Sequence, residues 1–156
     1  MTDHALQHIH SLPSWLTGRV AARGRELLAR SLAAEGLRLS QYAVLAAVAE
    51  HGPAAQADLV RRLHIDRKDV VGLLNDLERD DLVRRRPDPA DGRKNAVSVT
   101  DRGKDTLRRC AALAEQANQQ LLEPLSATER ELLITLLARL QNAHTTGEPA
   151  EGDQSQ

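Results

Sequence analysis

The chain has 156 residues, of which 41% are apolar and 28% charged, with a formal net charge of −1. Such a length suits one domain with a real core, and no apolar run approaches the roughly 18–20 residues that span a bilayer. The N-terminal MTDHALQHIHSLPSW lacks the basic start and apolar centre of a signal peptide, and one cysteine, Cys110, excludes an internal disulfide framework, so a cytosolic protein is expected.

With no Phe, one Trp and one Tyr, packing falls to Leu, Val and Ala, which suits closely apposed helices. In residues 12–34 the apolar positions Leu12, Trp15, Leu16, Val20, Leu27, Leu28 and Leu32 predict a long first helix that stops near Gly36. Ser40 is the expected N-cap of a second helix, SQYAVLAAVAE, ended by His51-Gly52-Pro53. Residues 56–63 form a short third helix. A fourth begins with Asp66 as N-cap and buries Val70, Leu73, Leu74 and Leu77.

After ERDD the periodicity changes. Residues from Leu82 to Arg86 and from Asn95 to Thr100 read as two strands joined by the turn PDPADG. Thr100 or Asp101 then caps a fifth helix over about 102–122, whose stripe includes Leu107, Cys110, Ala114, Ala117 and Leu121, closed by Pro124. Ser126 and Glu129 form a capping box for a sixth helix bearing Leu132, Leu133, Leu136, Leu137 and Leu140. The last twelve residues, TTGEPAEGDQSQ, have no apolar period and read as a disordered tail.

Six helices and one hairpin therefore divide into a dimerisation helix (1–36), a compact helical and hairpin unit (37–100), two further dimerisation helices (101–144) and the tail (145–156). The first, fifth and sixth helices have more apolar surface than one small domain can bury, and a second copy of the chain is the simplest cover. Charge is uneven: residues 61–109 hold 14 basic and 10 acidic side chains, although the whole chain is net acidic. A locally basic centre on a neutral scaffold is one layout of a DNA-contacting module, and equally that of a solvated charged face.

The third and fourth helices, closely joined, have the form of a helix-turn-helix. Arg67 and Lys68 lie in the first turn of the second of these helices, off its buried stripe. Positive charge there opposes the helix dipole, a cost of a few tenths of a kcal/mol that an external anion would offset. Together, DRKDVVGLLNDLERDDLVRR and DPADGRKNAVSVTDRG resemble the MarR family of winged helix-turn-helix regulators, and the resemblance extends over residues 12–144. The matching features are Leu77-Glu78 at the recognition-helix end, Leu82-Val83-Arg84 at the strand start, Asp91-Gly92-Arg93 in the wing and Val99-Thr100-Asp101-Arg102-Gly103 at its exit.

What the resemblance implies is a homodimeric, mainly α, winged helix-turn-helix regulator of transcription, dimerised through the first, fifth and sixth helices. The fourth helix would enter the major groove of a pseudo-palindromic operator. Arg93 at the wing tip would reach the adjacent minor groove, with Asp91 orienting the hairpin and Gly92 permitting a tight tip. Arg84, Arg86 and Lys94 would lie beside phosphates, the run RRR lining the strand. The sequence departs from the family pattern at Val71 and Gly72, which carry no polar reading group, so base contacts fall to Arg67, Lys68, Asp69 and Asn75. Asp80-Asp81 replaces the usual basic-glycine corner, which implies a strained turn.

Family members commonly release DNA when a small aromatic anion binds. Trp15 and Arg19, one helical turn apart, could stack on and ion-pair with an aromatic or phenolic carboxylate, and Tyr42 could add a hydroxyl. The alternative is that Trp15 anchors a core and Arg19 is solvated. The peroxide-sensing branch has a cysteine where this chain has Ser14 and Trp15, and Cys110, on an apolar stripe, reads as packing. His4, His8 and His10 lack the further ligands of a metal site, and no nucleophile–base pair or phosphate loop suggests an enzyme or a cofactor. The remaining readings are a ligand-independent regulator and a helical adaptor without DNA binding. An adaptor has no use for an arginine at a turn tip.

Overall fold

In the structure, a computed structural model that describes residues 3–145, the first helical stretch is two helices. Helix α1 spans Asp3–Ser11 and α2 spans Pro13–Leu32. Helix α2 matches the long helix expected over residues 12–34, whereas α1 was not expected; the two are parted at Leu12, whose extended backbone (φ −67°, ψ 130°) precedes Pro13 at the first helical position, where a missing N–H costs nothing. Helix α3 (Leu39–His51) starts one residue before the expected cap: Arg38 is the N-cap, and the side chain of Gln41 accepts from its backbone N–H at 2.8 Å. Ser40 therefore lies inside the first turn.

Helices α4 (Gln56–Leu63) and α5 (Arg67–Arg79) follow, then strands β2 (Val83–Pro87) and β3 (Asn95–Val99), then α6 (Asp101–Leu121) and α7 (Ala127–Thr145). The expected two-stranded hairpin is a three-stranded antiparallel sheet of order β1-β3-β2, because Ala54–Ala55 form a short β1 that pairs Ala54 with Val97 and Ala55 with Ala96. Within the hairpin Val83 faces Val99, Arg85 faces Val97 and Pro87 faces Asn95.

The described residues fall into two units, one extending to Leu121 and one starting at Leu122. In the first, Leu32, Leu45, Leu59, Leu74, Leu77 and Val97 are among the side chains with no exposed surface, and they tie α2 to α5 and the sheet into one core. Burying a Leu or Val of this kind stabilises the fold by about 1.5–3 kcal/mol. Helix α2 packs on α6 in antiparallel sense: Glu35, just beyond its end, pairs with Arg109 at 2.9 Å, while an added Cβ at Gly24 would lie 3.2 Å from Leu121.

One junction joins recognition helix, wing and α6. The Thr100 hydroxyl donates to the Asp81 carbonyl at 2.6 Å and accepts from the Gly103 N–H at 2.9 Å, and the Thr100 N–H donates to the Leu82 carbonyl at 3.0 Å. Thr100 is thus the cap of α6. A Cβ at Gly103 would come within 2.1 Å of the Leu82 oxygen, so only glycine fits there.

In the second unit the capping box forms as expected. The Ser126 N–H donates to Glu129 at 2.8 Å, the Glu129 N–H donates to the Ser126 hydroxyl at 3.3 Å, and these bonds hold the Glu129 carboxyl below its usual range. Leu132, Ile134, Leu136, Leu137 and Leu140 of α7 are 44–61% exposed. The expected disordered tail lies outside the described residues, apart from Thr145 at the end of α7.

Candidate nucleic-acid interface

Between α4 and α5 the chain turns at His64, which takes the left-handed conformation (φ 50°). Asp66 then caps α5, accepting from the Lys68 N–H at 2.8 Å. With Val70, Leu73, Leu74 and Leu77 committed to the core, Arg67, Lys68, Asp69, Gly72 and Asn75 are left exposed. An open concavity of about 720 Å³ runs between α5 and the start of α3, lined by Lys68, Gly72, Asn75 and Arg79 on one side and Arg38 on the other. Asp76 binds both flanking arginines, Arg38 at 3.3 Å and Arg79 at 2.6 Å.

Arg38 and Arg79 were not among the residues expected from sequence. Arg79 was accessible to it, because positions 68, 72, 75 and 79 recur at i, i+4, i+7 and i+11 and must share a helix face. Arg38 was not, because its place depends on how α3 packs on α5.

Strands β2 and β3 carry the wing, whose tip is folded by its own acidic side chains. Asp88 accepts from the Ala90 N–H at 2.9 Å and Asp91 from the Arg93 N–H at 3.1 Å, and the Asp88 N–H donates to the Lys94 carbonyl at 2.8 Å. Arg93 and Lys94 are exposed, and among the described residues neither forms an ion pair. Two negative side chains thereby hold positive ones outward. Gly92 has no left-handed backbone and no atom near a would-be Cβ, so tip geometry does not require a glycine there, contrary to expectation.

The run of three arginines divides by strand alternation. Arg84 and Arg86 are exposed, but Arg85 turns inward and is a structural residue. Its guanidinium meets Glu78 of α5 at 2.7 Å and the Val71 carbonyl at 3.4 Å, while its backbone N–H donates to the same carboxylate at 3.0 Å. This clamp fixes wing to recognition helix. The corner before it is strained as the sequence implied, Asp81 having φ 58°.

The residues considered for a small ligand are not assembled within one subunit. Trp15 is 41% exposed, so it is not a core anchor, and its ring stacks on His10 at 5.7 Å. Arg19, one turn on, is exposed. Tyr42 packs instead on the core, where burial and then Cys110 push its phenol above the ordinary range. Trp15 lies about 25 Å along α2 from Leu32, where that helix enters the core. Cys110 is fully buried, and burial, with Glu35 adding to it, raises its thiol pKa. Among the described residues no group of three or more His, Cys, Asp or Glu could hold a metal ion, and no helix is long and apolar enough to cross a membrane.

A two-helix motif with an exposed second helix, clamped to a basic wing on a three-stranded sheet, defines a winged helix-turn-helix protein. Residues 35–94 match the family model described as MarR family, and the chain belongs to that family of DNA-binding transcriptional regulators, a non-enzymatic class. It is similar to the transcriptional repressor NicR of Pseudomonas putida, 32% identical over 100 residues, which span 64% of this chain and 63% of that relative's length. Among solved structures it is similar to the repressor CouR bound to a 23-mer DNA duplex, with a TM-score of 0.79, 28% identity and coverage of 85% of this chain and 94% of CouR. It is also similar to Bordetella bronchiseptica BpsR, whose DNA binding is regulated by 6-hydroxynicotinic acid (TM-score 0.77, 27% identity, 86% of this chain and 96% of that one).

Proposed function

We propose that the protein is a homodimeric repressor that binds a pseudo-palindromic operator and is released by a small aromatic acid. The observation that carries the DNA reading is the pairing of an exposed α5 face, bearing Arg67, Lys68, Asp69 and Asn75, with a wing tip whose acids are turned inward and whose Arg93 and Lys94 are turned out. In the major groove Asn75 has the amide geometry to read adenine, Val71 can meet a thymine methyl, and Arg67 and Lys68 can reach guanine or phosphate. Arg93 suits the negative potential of the minor groove, and Arg84 and Arg86 suit phosphates. CouR supports DNA as the partner and NicR supports repression.

Dimerisation through α2, α6 and α7 is supported by the apolar surface left open on α2 (Trp15, Leu16, Val20) and on α7. For the ligand, Trp15 and Arg19 provide an aromatic plate and a guanidinium, and BpsR supports the chemical class. Tyr42 belongs to a site with these two only if the subunit pairing brings it there.

The test begins by selecting duplexes from a random library and measuring affinity against salt. The expected result is a half-site spacing of about one helical turn and a slope of about −0.9 per neutralised phosphate. Failure to select any duplex over bulk DNA at low salt would refute the reading. A panel of hydroxylated aromatic acids should weaken operator binding and quench Trp15, with Arg19→Ala abolishing both; indifference to every acid refutes the ligand part alone.

A further inference from the structure

Gly72 stands in the middle of the recognition helix, and nothing inside the subunit accounts for it. Its backbone is ordinary helix rather than left-handed, so no turn requires a glycine there. Apart from its chain neighbours and its own helix backbone, no heavy atom lies within 4 Å of where a Cβ would stand, so no packing requires one either. A glycine inside a helix is also less stable than an alanine, because it has more freedom to lose on folding. Position 72 therefore weakens α5 and gains no contact within the fold.

The other glycines inside helices show what such a residue does. Gly24 and Gly103 face Leu121 and the Leu82 carbonyl, at 3.2 and 2.1 Å from an added Cβ. Gly18 meets nothing, and it lies one turn from Trp15 on the open apolar side of α2, where a second subunit is proposed to pack. Among the described residues, a glycine inside a helix thus lies either against a neighbouring element or on a face turned toward another molecule. Gly72 is of the second kind.

Its surroundings define the surface that would meet it. The helix-surface neighbours of position 72 are the residues three and four away: Lys68, Asp69, Asn75 and Asp76. All four line, with Gly72, the concavity of about 720 Å³ between α5 and α3. The glycine is a bare patch of backbone ringed by an ammonium, an amide and two carboxylates. Asp76 is engaged by Arg38 and Arg79, whereas Lys68 and Asp69 form no ion pair among the described residues. Two carboxylates in the ring disfavour a phosphate here, which leaves a base edge. Donors and acceptors around an apolar gap one methyl group deep match the major-groove edge of an A·T pair, where adenine N6 and N7 lie beside the thymine C5-methyl.

We propose that Gly72 is a specificity-determining residue: the side chain it lacks leaves room for a thymine methyl group, which seats against the backbone of α5 while Asn75 holds the adenine edge beside it. This rests on the DNA-binding reading above and deepens it. The contact differs from the one open to Val71, whose side chain would reach out to a methyl rather than make space for one.

The experiment compares wild type with Gly72→Ala on the operator duplex selected as above. A set of duplexes then replaces each thymine, with its symmetry mate in the other half-site, by deoxyuridine, which lacks only the methyl. Gly72→Ala should bind the unmodified operator roughly tenfold more weakly than wild type. At one thymine position deoxyuridine should weaken wild type about fourfold for each methyl removed, yet restore most of the affinity that Gly72→Ala lost. At a position met by Val71 it should weaken both proteins alike, so the compensation identifies the Gly72 contact. In melts at one fixed protein concentration Gly72→Ala should unfold about 2–4 °C higher than wild type, which shows that it is folded. Equal affinity of the two proteins for the unmodified operator overturns the proposal. So does a loss that no deoxyuridine position relieves, a selected half-site without thymine, or a lower melting temperature, which would return the glycine to the fold. If wild type selects no duplex at all, the DNA-binding reading itself fails, and this contact with it.

Discussion

The Glu78–Arg85 clamp gives an asymmetric prediction. The Arg85 side chain is 15% exposed and that of Glu78 is 39% exposed. Removing either partner strands the other, but the stranded groups differ. Glu78→Ala leaves a mostly buried guanidinium with only the Val71 carbonyl at 3.4 Å, and it also removes the acceptor of the Arg85 backbone N–H. Charge-assisted hydrogen bonds contribute about 1.5–3 kcal/mol each when buried. Discounting for the exposure of Glu78, the loss is about 2–3 kcal/mol. Arg85→Met leaves a carboxylate that can rotate into water, and its aliphatic replacement keeps the packing, so the loss is about 1 kcal/mol.

The double variant should therefore be more stable than the sum of the two losses predicts, with a coupling of about 1–2 kcal/mol. Thermal melts at one fixed protein concentration measure this, at about 2–4 °C per kcal/mol for a chain of this size. Additive effects within about 0.5 kcal/mol, or an Arg85→Met variant as damaged as Glu78→Ala, would show that the two side chains do not act as a pair.

Four further outcomes are expected. Arg93→Ala should weaken operator binding by about 1–3 kcal/mol, roughly five- to hundredfold, with the sedimentation coefficient unchanged; unaltered affinity would remove the wing tip from the contact. Asp81→Gly should raise stability by about 0.5 kcal/mol in urea unfolding, since relief at φ 58° exceeds both the added freedom of the unfolded chain and the loss of an exposed ion pair. Cys110, buried and with its thiol pushed up, should react with a thiol reagent at pH 8 only as fast as the protein unfolds; rapid labelling of the native protein would contradict its packing role. For Glu129 the folded pKa lies below the unfolded one, so its stabilisation of α7 is present above the ordinary glutamate range and lost as pH falls through the depressed value; Ser126→Ala should move its titration midpoint upward by NMR.

The helix order, the Asp66 cap, the wing and the buried stripe of α5 were legible because each depends on neighbours in sequence. Helix α1 was not legible, because DHALQHIHS carries only Leu6 and Ile9 as large apolar side chains. Strand β1 was illegible: two alanines have no period, and only Val97 and Ala96 across the sheet make them a strand. The division of the arginine run followed from alternation, whereas the partner of Arg85 did not, because Glu78 lies on another element. The separation of Tyr42 from Trp15 is likewise tertiary. Helical spacing placed Trp15 beside Arg19 correctly, and nothing local could show where α3 would stand relative to either.

The scarcity of aromatic residues also makes the protein its own optical instrument. With one Trp, one Tyr and no Phe, near-ultraviolet emission comes almost wholly from the indole of Trp15, half open to solvent on α2 and lying against His10. Whatever covers α2, whether a second subunit or an aromatic acid, must change the wavelength or intensity of that emission. Tyr42, set in the core beside Cys110, reports instead on whether that core is intact. Assembly can therefore be followed through Trp15 alone, without a label and without changing a residue.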